Sequence, residues 1–289
     1  MSHLHLIDGG LSTELSRIGA VVEGELWTGR ALLNDPSLVE AAHRNYVEAG
    51  AEVVISSSYQ VSRVGFEEVG LNAKSADAAL TRSIEIAKSA VEGTAAKVAA
   101  SVGPYGAVLH DGSEYRGDYK VSQNFLEDFH AERIEVLVAA KPDFLSVETI
   151  PNVVEAKALS EVLKSFNVPA WISFTAGSTD RLWSGERIEA AVEVVAELEN
   201  LTAIGVNCVS PELVTGLIGK IKGISGVPAI AYPNRGGEWD SKNGVWLNAV
   251  PREFTEWLPE WIDAGVEWLG GCCGTDATDI KKLKASGLF

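Results

Sequence analysis

Three cysteines are the whole thiol complement of this 289-residue chain, and two of them are adjacent. Cys272 and Cys273 sit in "GGCCG", enclosed by Gly270, Gly271 and Gly274, while Cys208 closes the run "AIGVNC". Adjacent cysteines seldom bond to each other, because the small ring needs unusual backbone geometry. They can both face one metal ion if the backbone turns sharply, and glycines allow that turn and a close approach. Three thiolates are a soft, anionic ligand set for which zinc is the usual cytosolic ion, and no histidine falls near a suitable strand end to complete a fourth ligand. Three protein ligands leave one position open, as catalytic zinc sites do. Zinc held this way is electron-rich and a poor Lewis acid toward carbonyls or water, yet it keeps an added thiol deprotonated at neutral pH. The matching chemistry is alkyl transfer to sulfur, in which a small bound thiol attacks an activated methyl group.

Other readings of the same residues stand beside this one. Cys208 alone suits a buried core thiol, and a disulfide from Cys208 to either partner is a geometric option that a reducing compartment disfavours. A glycine-rich turn ahead of "TDATDIKKLK" can hold phosphate at a helix N-terminus. Adjacent cysteines contribute nothing to that task, and Asp276 would repel the anion.

The elements that must position these residues alternate along the chain. "LHLID", "EVVISSS", "KVAASVG", "FLSVET", "AWISFT", "AIGVNC", "PAIAYPN" and "EWLGGC" read as strands, each followed by a helical pattern. Continuous apolar strands of this type fit a parallel sheet covered on both faces. Helix signals are plain in "NDPSLVEAAHRNYVEAGA", with Asp35 as N-cap, Pro36 at the first helical position and Gly50 as the stop. Ser210, Pro211 and Gly223 repeat the device, and "QNFLEDFHAERIEVLVAAKPD" has helical spacing. Eight strand–helix units in about 290 residues give an α/β fold, a single (β/α)8 barrel over residues 1–289. The rival, a doubly wound open sheet, rarely reaches eight strands at this length, and "DGGLSTE" is not a dinucleotide-binding glycine motif.

In such a barrel the strand ends meet at the C-terminal mouth, where barrel enzymes keep their active sites. The first strand delivers Asp8 and Gly9, the fourth Glu148, the sixth Asn207 and Cys208, the seventh Asn234, and the eighth Cys272 and Cys273. Every cysteine lands on one rim. Asp8 is either a turn former or N-cap, or an anchor for a cation. Glu148 is either in a structural ion pair or bound to a cation such as an amino-acid ammonium. The substrate's carboxylate can take backbone N–H groups around Gly9 and Gly10. His3 and His5, in "HLH", have the spacing of a metal pair in amidohydrolase barrels. They lie several residues before Asp8, however, at the wrong end for catalysis. Two long connections, "GPYGAVLHDGSEYRGDYKVS" and "NRGGEWDSKNGVWLNAV", leave the mouth after the third and seventh strands and suit a lid or binding surface.

Composition narrows the partners. An apolar fraction of 46% with 22% charged residues is that of a soluble globular protein. A formal net charge of −16 argues against nucleic acid and anionic membranes as partners. The start "MSHLHLIDGG" does not read as an export signal, no run of about 18 apolar residues is present, and the odd number of cysteines suits reduced thiols. The expected location is cytoplasmic, as a monomer or homodimer.

"GVNC" at 205–208 together with "GGCC" at 270–273 resembles the zinc-binding pattern of the homocysteine S-methyltransferase family. The resemblance extends through "DGG" at 8–10, "LW" at 26–27, "SVGPYGA" at 101–107, "DGSEYRGDY" at 111–119, "ETIPN" at 148–152 and "YPN" at 232–234. It implies a (β/α)8 barrel with zinc on Cys208, Cys272 and Cys273 and the sulfur of homocysteine as fourth ligand. Asp8, Gly9 and Glu148 look like the amino-acid anchors, joined by Thr28, Asn207 and Asn234. The betaine-using branch is similar only in part, since it carries a tyrosine where this chain has Thr149. The cobalamin-dependent enzyme has further modules. The stretches "SVGPYGA", "DGSEYRGDY" and "YPN" look most like the S-methylmethionine-using branch. A sulfonium donor is cationic, and Asp111, Glu114 and Asp118 beside Tyr105, Tyr115 and Tyr119 would attract it, although a solvated loop surface is the alternative. S-adenosylmethionine is a second sulfonium donor to consider. Betaine as donor, or a homocysteine- and zinc-binding barrel without catalysis, are the alternatives.

Overall fold

The computed structural model describes residues 3–20, 27–236, 238–240, 245–247 and 252–289, with the backbone alone at 27–28, 238–240 and 245–247. Eight parallel strands stand side by side in chain order: His5–Leu6, Val53–Ile55, Lys97–Val102, Phe144–Ile150, Ala170–Phe174, Leu201–Asn207, Ala229–Tyr232 and Val266–Leu269. The sheet closes on itself where Ile7 pairs with Val53. At this seam the Asp8 N–H donates to the Val53 carbonyl at 3.1 Å and the Glu52 N–H to that of Leu6 at 2.7 Å. The fold is the single (β/α)8 barrel that the strand–helix alternation requires.

Two apolar clusters divide along the two faces of these strands. Ile7, Val53, Ala99, Trp171, Ala203, Ile230 and Tyr232 fill the barrel interior. The opposite faces pack on the helices, among them Pro36–Ala49, Ala73–Val91, Gln123–Ala139 and Val153–Leu163, around residues such as Leu6, Val54, Leu145 and Ile172. Phe144, Trp171 and Trp268 meet with ring centroids 5.8 to 6.2 Å apart at the N-terminal end of the barrel. A cavity lined by the three cysteines lies at the other end.

Local signals explain the helix ends. Pro36 opens its helix and Gly50, at φ +106°, closes it, although Asp35 makes no side-chain cap bond. The helix after the first strand starts at Leu11 with Gly10 in the capping position, so Asp8 is not its cap. Asp276 and Asp279 form a reciprocal capping box on Ala277–Ala285, which fills the helix terminus that a phosphate would need. No described helix is long and apolar enough to cross a membrane.

Several strands end sooner than the apolar runs suggest. The sixth stops at Asn207 because Cys208 adopts φ +49°, outside the extended region. Within the fourth, Thr149 at φ +63° accompanies a register shift between Val147 and Ile150. In the connection after the seventh strand, Glu238–Asp240 and Val245–Leu247 pair antiparallel. Residues 237, 241–244 and 248–251 of that connection lie outside the described residues.

Candidate functional site

The strained turn at Cys208 is held from three sides. Its N–H donates to the Tyr232 carbonyl at 3.3 Å, and its own carbonyl accepts from the Thr175 hydroxyl at 3.4 Å. The third restraint is Asn207, buried immediately before it. Asn207 Oδ1 accepts from the Thr149 N–H at 2.7 Å and the Ser173 hydroxyl at 2.9 Å, while Nδ2 donates to Thr149 Oγ1 at 2.8 Å. A left-handed non-glycine residue costs on the order of 1–3 kcal/mol. One amide side chain thus braces two such residues, Thr149 and Cys208, on neighbouring parts of the rim.

The eighth strand reaches the same point through a glycine turn. Gly271 N–H donates to the Asp8 carbonyl at 2.9 Å, Cys272 N–H to that of Pro233 at 2.8 Å, and Arg235 N–H to that of Cys273 at 2.9 Å. These bonds clamp the cysteine pair between the ends of the first and seventh strands. A Cβ on Gly271 would sit 2.2 Å from Thr275 Oγ1, and one on Gly10 would sit 2.4 Å from the Cys272 carbonyl oxygen. Close backbone approach, as well as turning, is why glycine occupies these places.

The consequence is a cluster of three sulfurs within 4.8 Å of one another. Cys208 Sγ lies 2.6 Å from Cys272 Sγ and 3.5 Å from Cys273 Sγ, and all three thiols are free. Cys273 is pushed well below the usual thiol range by hydrogen bonds from Cys208 and Cys272. Cys272 is pushed well above it by its hydrogen bond to Cys208. Cys208, although a bond from Cys272 favours its thiolate, is pushed up by Cys273 and by burial. A cation among the three sulfurs would favour the thiolate form of each. Soft sulfur donors at this spacing fit a thiophilic metal ion.

Hydroxyls and two carboxylates, Glu114 and Glu148, make up most of the polar surroundings. The sulfurs face a cavity of about 100 Å³ that Gly9, Ser57, Glu114, Tyr115, Glu148 and Asn207 help to line. Among the described residues lining it, none is Lys, Arg or His. Glu148, at the end of the fourth strand, accepts from the Ser101 hydroxyl, and burial pushes its carboxyl up to about 7. Asp8, directly behind Gly9, takes the Ile55 N–H on Oδ2 at 2.7 Å, while its buried Oδ1 has no partner. Burial, and next to it the charge of Glu148, hold Asp8 well above the ordinary carboxylate range. Glu114 also has a buried oxygen without a partner and is raised by burial. Buried acids whose oxygens lack donors, in a cavity without basic side chains, are arranged to receive cations.

The structure thus brings Cys208, Cys272, Cys273, Gly9, Glu148 and Asn207 onto one cavity, with Asp8 behind its wall. Asn234 is half-buried, bonds the Gly236 N–H at 3.0 Å and does not line the cavity. Thr28 falls in the helix Trp27–Asn34, and its side chain lies outside the described residues. The Gly10 N–H is taken by Thr275, so it is not free for a substrate carboxylate. In the third-strand loop only Glu114 and Tyr115 turn inward, the Tyr115 hydroxyl pointing at Cys208 Sγ from 4.0 Å. Asp111 and Asp118 pair instead with Arg116 on the surface. Tyr119 bonds Glu155, and Tyr105 packs on Phe125 and Phe129. Sequence reasoning passes over Ser57, Tyr59, Ser101 and Tyr232, all of which line the cavity. The run "SSSYQ" at the end of the second strand is the available signal for the first two.

The chain is similar to known proteins over nearly its whole length. The family model described as homocysteine S-methyltransferase matches residues 5–286. Homocysteine S-methyltransferase 1 of Brassica oleracea var. italica is 40% identical, covering 96% of this chain and 91% of its own. A selenocysteine Se-methyltransferase of the same organism is 36% identical over 96% of this chain and 87% of its own. The crystal structure of the homocysteine methyltransferase MmuM from Escherichia coli, in a metallated form, superposes with a TM-score of 0.88 at 36% identity. It covers 98% of this chain and 96% of that one.

Proposed function

Because the chain belongs to the homocysteine S-methyltransferase family, we propose that it transfers a methyl group from a sulfonium compound, S-methylmethionine first, to homocysteine. The acting unit is one domain spanning residues 1–289, with zinc on Cys208, Cys272 and Cys273. The observation that carries this reading is the sulfur cluster itself, three thiols within 4.8 Å at the mouth of a cavity lined by acids. Bound zinc supplies the positive charge that lets a substrate thiol exist as thiolate at neutral pH.

The chain's own residues do the rest. The cavity of about 100 Å³ in front of the sulfurs receives homocysteine, a four-carbon amino acid bearing one thiol. Glu148, with Asp8 behind the wall adding to the acidic surroundings, receives the ammonium of homocysteine. The Ser57 hydroxyl, buried on the cavity wall without a partner, donates to its carboxylate in place of the occupied Gly10 N–H. Held at both ends, the substrate turns its sulfur to the cysteines. Glu114 and the Tyr115 ring cover the cavity from the third-strand loop and hold the cationic donor. The homocysteine sulfur, its proton released to solvent, forms a bond to the methyl carbon. The bond from that carbon to the sulfonium sulfur breaks, and its electron pair stays on the departing thioether. With S-methylmethionine both products are methionine. The donor's charge is neutralised as the methyl moves, so a single carboxylate near it is better than several, which would hold the ground state too tightly.

Transfer of labelled methyl to homocysteine from S-methylmethionine, S-adenosylmethionine and betaine, with zinc measured on the same sample, tests the proposal. Preference for S-methylmethionine supports it, and preference for betaine contradicts it.

A further inference from the structure

The "HLH" run has no part in the methyl-transfer site, yet the structure gives it a third partner. His3 and His5 project from one face of the first strand, and Glu52 stands at the entry to the second. His3 Nε2 is 3.2 Å from Glu52 Oε1 and His5 Nδ1 is 2.9 Å from Oε2. One ligand atom from each lies within 4.8 Å of the others. The three are held before any ion arrives. The His5 ring stacks on Trp268 with centroids 4.2 Å apart, which fixes its plane. Glu52 is pinned on both sides, its N–H on the Leu6 carbonyl at 2.7 Å and its carbonyl on the Lys97 N–H at 2.9 Å.

We infer that His3, His5 and Glu52 form a second metal site, for zinc or a similar borderline divalent ion, on the barrel's N-terminal end, opposite the cysteines. Two imidazoles and one carboxylate are a hard-to-borderline donor set that suits zinc, and three ligands leave a position open to solvent. Such an ion exchanges readily, unlike one buried among thiolates. Its place in the fold gives it a consequence. The first strand is only His5–Leu6, and the sheet closes through the single pair Ile7–Val53. Ligands from both sides of that seam make the ion a staple across the barrel's thinnest joint. Lys284 Nζ, 4.0 Å from Glu52 Oε1, is the neighbouring cation that such an ion would have to face.

The test titrates zinc into enzyme already carrying one equivalent, reading bound metal against a chromophoric chelator while the melting temperature is followed. The expected result is a second, weaker equivalent that raises the melting temperature. Glu52→Gln and His5→Asn each weaken it at least about tenfold and remove the thermal shift, with the first equivalent and methyl transfer at wild-type level. Lys284→Ala tightens it by removing a like charge. No second equivalent, one untouched by Glu52→Gln and His5→Asn, or one that leaves the melting temperature unchanged overturns the inference. Because the first equivalent and methyl transfer are read separately, failure here is distinct from failure of the cysteine site.

Discussion

Replacing Glu148 by glutamine removes one charge and almost no volume, and the structure assigns opposite signs to its effects on stability and on binding. Burial raises this carboxyl from the usual 4.5 to about 7. Between those values the folded protein holds a proton that the unfolded chain has released. Stability contributed by the protonated form is therefore complete below 4.5 and is lost as pH rises through 7. The full loss is about 3 kcal/mol, at 1.36 kcal/mol for each of the roughly 2.5 units between the two values. The glutamine amide cannot ionise, keeps the bond from Ser101, and has the hydroxyls of Ser146 and Tyr232 beside it. The charge of Cys273 adds to the rise. Three thiolates around a divalent cation still carry one net negative charge, so that sign persists in loaded enzyme. Urea denaturation should show Glu148→Gln matching wild type near pH 4.5 and exceeding it by up to about 3 kcal/mol near pH 8. The same variant loses a charge-assisted bond to the substrate ammonium, about 1.5–3 kcal/mol, and its KM for homocysteine rises about 10- to 100-fold. A variant less stable than wild type near pH 8, or equally shifted at both pH values, would refute the electrostatic reasoning. An unchanged KM would remove Glu148 from the substrate's ammonium.

Cys272→Ala should lose both metal and turnover, read by elemental analysis and labelled-methyl transfer, whereas full retention of metal would mean that the ligands lie elsewhere. Glu114→Gln should raise KM for the sulfonium donor and leave that for homocysteine near wild type; the reverse pattern would reassign Glu114. Asn207→Ala strands the buried Thr149 N–H, whereas the Ser173 hydroxyl keeps Tyr232 and Val147 as partners, a loss of about 1–3 kcal/mol in denaturant. It should also release zinc faster in chelator, and unchanged zinc retention would show that Cys208 does not depend on this brace.

The barrel was legible in the sequence because parallel strands buried on both faces read as plain apolar runs, and the sulfur cluster because glycines mark where backbones must approach. Less local features were not. The sequence places Asn207 on the rim, where it lines the cavity, but does not show that its amide also bonds Thr149 and Ser173. Nothing near Thr149 or Cys208 in the sequence announces a left-handed residue, since the bonds that enforce it come from other strands. The third-strand loop offers three acids within eight residues. Which one faces inward is decided by Arg116, which draws Asp111 and Asp118 to the surface, and by Gly106, whose lack of Cβ lets Ser113 and Glu114 pack against it. For Ser57, strand alternation gives only the face its side chain points to, not whether its hydroxyl finds a partner.

The most direct test of the account strips metal from the enzyme with chelator and measures methyl transfer from labelled S-methylmethionine to homocysteine before and after one equivalent of zinc is restored. The account predicts that transfer disappears with the metal and returns in proportion to the zinc bound. Full transfer by protein free of metal would contradict it.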